Sequence, residues 1–133
     1  MPRKPLTLPR LKVKAWALLS EILRKQAGKC CMCDQQKDYK KLQTHHVIPK
    51  CRSLSIYFNE ENLLVMCYGC HHFKVHGRMT ADELLAFYYK KIGEDLYNDL
   101  YQLAKQPMKI SRSEYEEMIE GYKKRLRDSD NML

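Results

Sequence analysis

Two pairs of cysteines limit what this chain can fold into more than any other feature of its sequence. Cys30 and Cys33 form a C-x2-C pair, and Cys67 and Cys70 form a second one, with residues 34–66 between them. This spacing is typical of thiolates that close a tetrahedral zinc site, in which no coordination position is left for water. We therefore expect a structural zinc ion, which stabilises a segment too polar to form a large apolar core of its own.

The two remaining cysteines do not fit this pattern. A single residue separates Cys31 from Cys33, which is too short for an ordinary zinc knuckle, so we interpret Cys31 and Cys51 as free thiols that take part in packing. No export signal opens the sequence, and no apolar run approaches the roughly 18 residues of a membrane helix. The expectation is a soluble protein of a reducing compartment, the cytoplasm.

A length of 133 residues fits a single domain. We divide it into a basic arm and helix (1–29), a zinc core (30–78) and a helical C-terminal extension (79–133). The net charge of +8 is spread unevenly: residues 1–29 have eight Lys/Arg against one acid, 30–80 have seven against four, and 81–133 have nine against eleven. Positive charge in the front and middle favours a polyanionic partner such as DNA, with solubility alone as the alternative.

Local patterns predict an α+β fold. Residues up to Pro9 carry three prolines and are expected to be an extended basic arm, after which apolar periodicity predicts a helix that ends at Gly28. Short apolar runs predict strands over 42–44 and 63–66, and a short helix is expected near Cys70. The apolar stripe of the first helix is Leu11, Ala15, Leu18, Leu19, Ile22 and Leu23.

Two capping boxes open the C-terminal extension. One capping box is Thr80 with Glu83, the other is Ser111 with Glu114, and each is followed by a helical pattern. Gly93 is expected to interrupt the helix that follows the first capping box. We interpret these helices as scaffold, because their polar faces are mixed in sign. The apolar side predicted for the last helix consists of Tyr115, Met118, Ile119, Tyr122 and Leu126.

Histidines and an asparagine stand between and after the cysteine pairs. His45 and His46 are adjacent, Asn62 follows in the middle of the segment, and His71 comes directly after the last cysteine. This order resembles the HNH (ββα-metal) endonuclease family, in which a paired Asp/His-His, a central Asn and a final His or Asn accompany two zinc knuckles. The resemblance covers residues 30 to about 77 and implies a small zinc-stapled core of treble-clef type.

The resemblance implies a role for each of these residues. His45 and His71 are then ligands of a catalytic metal ion, His46 is the general base that deprotonates the attacking water, and Asn62 holds the loop that carries the base. Adjacent residues on a strand point to opposite sides, which suits a ligand next to a base. Neutral imidazole, with an unperturbed pKa of about 6.5, is a competent base near neutral pH.

The catalytic cofactor implied is one divalent ion with several exchangeable waters. Two histidine ligands permit Mg²⁺, Mn²⁺ or a transition ion such as Zn²⁺ or Ni²⁺, and His45 stands where the family often has Asp, which disfavours Mg²⁺. His72 and His76 have the i, i+4 spacing that places side chains on one face of an α-helix. His76 is a candidate third ligand or phosphate contact, whereas we interpret His72 as solvated.

The implied activity is metal-dependent hydrolysis of phosphodiester bonds in DNA. One site cuts one strand, so a double-strand break favours a homodimer. Candidate contacts to the DNA backbone, which supply affinity without sequence preference, are Lys50, Arg52, Lys74 and Arg78.

A narrower resemblance is to the phage recombination nucleases called NinG or Rap. Those proteins share both C-x2-C pairs, a histidine that aligns with His46, a Phe-Asn-Glu…Asn stretch like 58–62, and an Ile-Gly in a helical tail like 92–93. They depart from this chain at His45 and His71, where they carry other small or polar residues. This resemblance implies action on branched DNA in bacterial or phage-infected host cytoplasm.

Two readings from other functional classes stay open. A non-catalytic zinc-finger module of treble-clef type would explain the cysteines and the charge, but it gives no role to His45, His46, Asn62 and His71. An interaction protein whose helical tail docks a partner is the third reading.

Overall fold

The computed structural model describes residues 4–131, which form a mixed α+β fold with one two-stranded antiparallel sheet. None of the described helices is long and apolar enough to span a membrane. In chain order the elements are α1 (Leu8–Ala27), β1 (Leu42–His46), α2 (Leu54–Tyr57), β2 (Leu63–Cys67), a π-helix (Cys70–Arg78), α3 (Ala81–Ile92), α4 (Glu94–Leu103) and α5 (Arg112–Asn131).

The chain divides into two compact units. Of the described residues, the first unit comprises those up to Ile22 together with those from Lys109 onward, and the second is Leu23–Met108. In the first unit, α5 buries Tyr115 and Ile119, which lie on its predicted apolar side. The buried residues of α1 come from its predicted stripe and are Leu11, Ala15, Leu19 and Ile22.

Helix α1 begins earlier than the sequence predicts. Its first residue is Leu8, so Pro9, expected to end an extended arm, is the second helical residue. Proline is tolerated there because the first N–H groups of a helix have no partner within it. The first three residues of the predicted arm lie outside the described residues.

The second unit is built on the pair β1–β2. Leu42 lies opposite Cys67 and His46 lies opposite Leu63, so the two strands run the full predicted length and slightly beyond it. Leu42 packs with Val65 and Met66 against the buried cysteines. A two-stranded sheet alone is marginally stable, so this unit needs the cysteine cluster and the helices around it.

A second apolar cluster holds the loop that follows β1. Ile48 from this loop and Ile56 from α2 are buried against Leu100 of α4. The α4 end is fixed further by Ser55, whose Oγ donates to the carbonyl of Leu103 at 2.8 Å. Helix α4 is therefore an integral part of the unit that contains the predicted site.

The helix after the second cysteine pair is a π-helix over Cys70–Arg78. Its i→i−5 hydrogen bonding is seen at the C-terminal end, where the N–H of Met79 donates to the carbonyl of Lys74 at 2.9 Å. A π-helix holds more residues per turn than an α-helix, so side chains five apart meet on one face. Stretches of π-helix are rare in proteins, and those that occur are often found at functional sites.

Both predicted capping boxes are present. Thr80 and Glu83 exchange two hydrogen bonds at 3.1 Å, and Ser111 and Glu114 do so at 3.2 Å. Gly93 separates α3 from α4 with φ +88 and ψ 151, a conformation that residues with a Cβ rarely adopt. The predicted interruption of the helical pattern is thus a sharp break made by one glycine.

Gly93→Ala and Gly121→Ala should change stability in opposite directions. A Cβ at either position meets nothing within 4 Å, so only backbone conformation differs. Gly93→Ala should lower the free energy of unfolding by about 1–3 kcal/mol, because φ is positive there. Gly121→Ala, inside α5, should raise it by about 0.5–1 kcal/mol. Urea unfolding of both variants measures this, and a Gly93→Ala protein as stable as wild type would contradict the assigned strain.

Candidate metal centres

The four cysteines of the C-x2-C pairs come together as one cluster, the cysteine cage. Their Sγ atoms all lie within 4.8 Å of one another, and those of Cys33 and Cys67 are 3.9 Å apart. Thiolates about 2.3 Å from a tetrahedral zinc ion are roughly 3.8 Å apart, so the distances fit such an ion. Cys30, Cys67 and Cys70 are buried. The cage can therefore hold a structural metal such as zinc.

Backbone amides point at the sulfur atoms of the cage. The N–H groups of Met32 and Cys33 lie 3.4 and 3.5 Å from Cys30 Sγ, and that of Cys70 lies 3.4 Å from Cys67 Sγ. Burial acts to raise the pKa of Cys30, but the surrounding amides outweigh it and lower the pKa to about 7. Burial raises the pKa of Cys70, so a cation among the sulfur atoms would favour the thiolate form of this residue.

Cys31 and Cys51 lie outside the cage. The Cys31 backbone N–H donates to the carbonyl of Val65 on β2 at 2.9 Å, and the side chain packs against the core. Burial raises the pKa of the Cys31 thiol to about 11. Cys51 is exposed, so the packing role predicted for both thiols applies to Cys31 alone.

A second cluster, the histidine trio, consists of His45, His71 and His76. One ring nitrogen from each lies within 4.8 Å of the others. His71 Nε2 is 3.1 Å from both His45 Nδ1 and His76 Nε2. Nitrogen ligands about 2.0–2.1 Å from one ion are separated by roughly 3.0–3.4 Å, so the spacing suits a metal.

The π-helix explains which histidines meet. His71 and His76 are five residues apart, the spacing that a π-helix places on one face. The α-helical pairing of His72 with His76 does not occur. His72 is exposed, and its ring stacks on that of Tyr68, 5.0 Å away and tilted by 10°.

Two residues that the sequence analysis missed orient the rings of the trio. Gln43 Oε1 accepts a hydrogen bond from Nδ1 of His71, which leaves the Nε2 lone pair directed at the other histidines. Tyr88 Oη lies 2.6 Å from Nε2 of His45. When that Nε2–H donates to Tyr88, the Nδ1 lone pair of His45 also faces the trio. Such outer partners fix the tautomer and orientation of histidine ligands.

The geometry leaves one lone pair facing two neighbours. With its Nδ1–H given to Gln43, His71 has only the Nε2 lone pair, yet two ring nitrogens approach that atom at 3.1 Å. A single lone pair accepts one good hydrogen bond, whereas a cation among the nitrogens would satisfy all three. The trio is therefore a better cation site than a hydrogen-bond network.

Burial favours the neutral form of two histidines of the trio, His45 and His71. Burial, with smaller effects of His71 and His76, lowers the pKa of His45 to about 3, and burial also lowers the pKa of His71. His45 is buried, His71 is half-buried and His76 is exposed, so one side of the trio opens to solvent. Neutral imidazoles bind metal without first losing a proton.

His46 lies next to His45 on β1 and faces a different environment. Its Nε2 lies 2.9 Å from the carbonyl of Tyr57, which can only accept, so Nε2 carries the proton and Nδ1 keeps a lone pair. Burial lowers the pKa of His46, and the charge of Lys50 acts in the same direction. The neutral ring with a basic Nδ1 therefore dominates near neutral pH.

Asn62 is fully buried and holds the loop after β1. Its Oδ1 accepts from the N–H of Ile48 at 2.8 Å, and its Nδ2 donates to the carbonyls of Ile48 and Ile56 at 3.1 and 3.2 Å. Its own carbonyl accepts from the N–H of Val47 at 2.8 Å. These bonds fix the chain immediately after His46.

The four predicted phosphate contacts occupy two places. Lys50 is close enough to His46 to lower its pKa, and Arg52 is exposed on the same loop. Lys74 and Arg78 line a pocket beside the cysteine cage instead. The structure thus brings Lys50 to the predicted base and sets Lys74 and Arg78 against the cage.

Comparison with protein-family models, curated proteins and solved structures finds no match for this chain.

Cys33→Ser should remove the metal of the cysteine cage. Loss of one thiolate opens a closed four-sulfur site, and because binding of such a metal is coupled to folding, the second unit should be destabilised. Titration with Co²⁺ measures this through the thiolate-to-cobalt charge-transfer band, which histidine ligands do not produce. Cys51→Ser, at the exposed cysteine, is the matched control and should keep the full band. A full band in Cys33→Ser would rule out the four-cysteine site.

Asn62→Ala should lower the free energy of unfolding by about 2–4 kcal/mol, because three buried backbone groups lose their partner. Asn59→Ala removes a cap whose Oδ1 accepts from Glu61 N–H at 3.0 Å and should cost at most about 1 kcal/mol. Urea unfolding at saturating zinc compares the two. Equal losses would mean that Asn62 does not fix the loop.

Proposed function

We propose that this chain is a metal-dependent endonuclease that hydrolyses phosphodiester bonds in DNA. The observation that supports this most directly is the histidine trio with a fourth histidine beside it. His45, His71 and His76 turn ring nitrogens toward one point, and His46 keeps a basic Nδ1 on the neighbouring position of the strand. The resemblance to HNH endonucleases assigns the same division between ligands and base.

The histidine trio would hold one divalent ion. Three neutral imidazoles suit borderline transition ions such as Zn²⁺ or Ni²⁺ better than Mg²⁺, which prefers oxygen. A bound ion supplies charge that polarises a phosphoryl oxygen and stabilises the leaving alkoxide. The exposed side, at His76, leaves room for water and substrate.

His46 would act as the general base. Its Nε2–H is held by the Tyr57 carbonyl, so Nδ1 is the atom that takes the proton from an attacking water. Asn62 keeps the backbone after His46 in one conformation, which preserves the direction of that lone pair. Lys50, next to His46, can hold a backbone phosphate near it.

A non-catalytic zinc module that binds nucleic acid is the second candidate. The closed cysteine cage and the pair Lys74 and Arg78 beside it favour this reading. It leaves the convergence of the trio without a function. Cleavage is the measurement that separates the two candidates.

His46→Ala should lower the rate of DNA cleavage by about 10²–10⁴-fold, the usual contribution of a general base. The assay supplies supercoiled plasmid and branched DNA with Mg²⁺, Mn²⁺, Ni²⁺ or added Zn²⁺. Zinc content and fold should be unchanged, because His46 belongs to neither cluster. Cys51→Ala, on the loop that follows β1, is the control and should cut DNA at the wild-type rate.

Two outcomes would count against this proposal. Cleavage by His46→Ala at the wild-type rate would remove the assigned base. Absence of cleavage by the wild-type chain on every substrate and with every ion would leave the binding module as the function.

A further inference from the structure

An exposed group of aromatic rings lies on the knuckle of the second cysteine pair and the start of the π-helix. We define the aromatic patch as Tyr68, His72 and Phe73. Tyr68 is 52% exposed and Phe73 is 56% exposed. The rings of Tyr68 and His72 are stacked, and the Phe73 ring stands edge-on to both, with centroids 5.9 and 5.1 Å away. Single exposed apolar residues are common, whereas three adjoining rings form a larger surface on which a ligand can stack.

Positive charge borders the aromatic patch. Lys74 and Arg78 line a pocket together with Phe73 and Gln35, and cysteines of the cage form its wall. Both basic side chains are exposed, and within the described part of the chain no acidic side chain pairs with them. No acidic residue is among the described residues that line the pocket. The surface therefore offers ring faces next to uncompensated cations.

The cysteine cage holds this surface rigid. Tyr68 lies between Cys67 and Cys70, and Phe73 is three residues past the last cysteine. The backbone that carries the rings is thus fixed from beneath by the amide–sulfur bonds of the knuckle, such as that from Cys70 to Cys67. A ligand that stacks here loses little free energy to ordering of the protein.

We propose that the aromatic patch, with Lys74 and Arg78, binds unpaired nucleotides of single-stranded DNA. Exposed aromatic faces stack on nucleobases of any sequence, and neighbouring cations bind the phosphates between them. Bases inside a duplex are stacked on one another and do not present a face to such a surface. The inference refines the proposed endonuclease by naming the form of DNA that this chain holds, and it rests on that function only for the choice of DNA as the polymer.

Equilibrium binding without any added divalent ion tests the proposal. Fluorescence anisotropy compares a short oligothymidylate, a blunt duplex and an oligonucleotide of the same length made of abasic sites. Wild-type protein should bind the oligothymidylate more tightly than either of the other two. Phe73→Ala should weaken oligothymidylate binding about tenfold, the effect of losing one stacked base, and should not change binding of the abasic strand.

Further variants separate stacking from charge and from folding. Phe73→Trp should restore tight binding, because it restores an aromatic face. Lys74→Ala should weaken binding to the intact and the abasic strand alike and reduce the salt dependence by roughly 0.7 in slope. Tyr101→Ala is the matched control: Tyr101 is 43% exposed and has Lys105 4.9 Å from its ring centroid, but lies outside the patch. It should bind like wild type.

Several results would overturn the proposal. One is that Phe73→Ala binds oligothymidylate as tightly as wild type does. Another is that wild type binds the abasic strand as tightly as oligothymidylate. A third is that substitutions in the aromatic patch abolish self-association or protein binding and leave DNA binding intact. The outcome is independent of cleavage. If the protein shows the stacking effect but cuts no DNA, this inference stands and the proposed function is wrong. If it cuts DNA without the stacking effect, the proposed function stands and this inference is wrong.

Discussion

The second unit of this protein depends on bringing four cysteine sulfurs around one point. Its only sheet has two strands, which cannot supply the stability of a larger β-structure. Cys30 and Cys33 precede β1, whereas Cys67 ends β2 and Cys70 begins the π-helix. Closure of the cage therefore ties the segment before β1 to the end of β2, at one end of the strand pair, and sets the residue at which the π-helix starts. The histidine that follows Cys70 takes its position from that closure.

The π-helix converts this starting point into a second cluster. An α-helix beginning at Cys70 would place His72 above His76 and direct His71 elsewhere. The wider turn instead joins His71 to His76 and directs both toward His45 on β1. The ring of His72, together with those of Tyr68 and Phe73, lies at the surface of the same segment. One change of helical period thus separates a converging set of nitrogens from an exposed set of aromatic faces.

The sequence predicted features that depend on residues close together in the chain, and it missed contacts between residues that are distant in sequence. The α+β class, the clustering of the C-x2-C cysteines, both strands and both capping boxes follow from spacing or from residues three or four apart. Tyr88 reads as one more apolar position on the face of α3, and nothing near it in sequence indicates a contact with His45, 43 residues away. Gln43 is likewise an ordinary polar strand residue until His71 meets it. The helical period after Cys70 was also beyond reach, because no local pattern distinguishes π from α there. The roles given to His46 and Asn62 in catalysis stay predictions.

The two clusters differ in how far an ion held in each of them would be open to solvent. The cage offers four soft donors that are mostly buried, so an ion held there has no position for a further ligand. The trio offers three nitrogens whose burial decreases from His45 through His71 to His76. Its rings are fixed from the buried side by Tyr88 and Gln43, so the open coordination positions of an ion would face solvent. Because Tyr88 belongs to α3 and Gln43 to β1, a helix that follows the zinc-binding segment and a strand within it both hold the buried side of the trio.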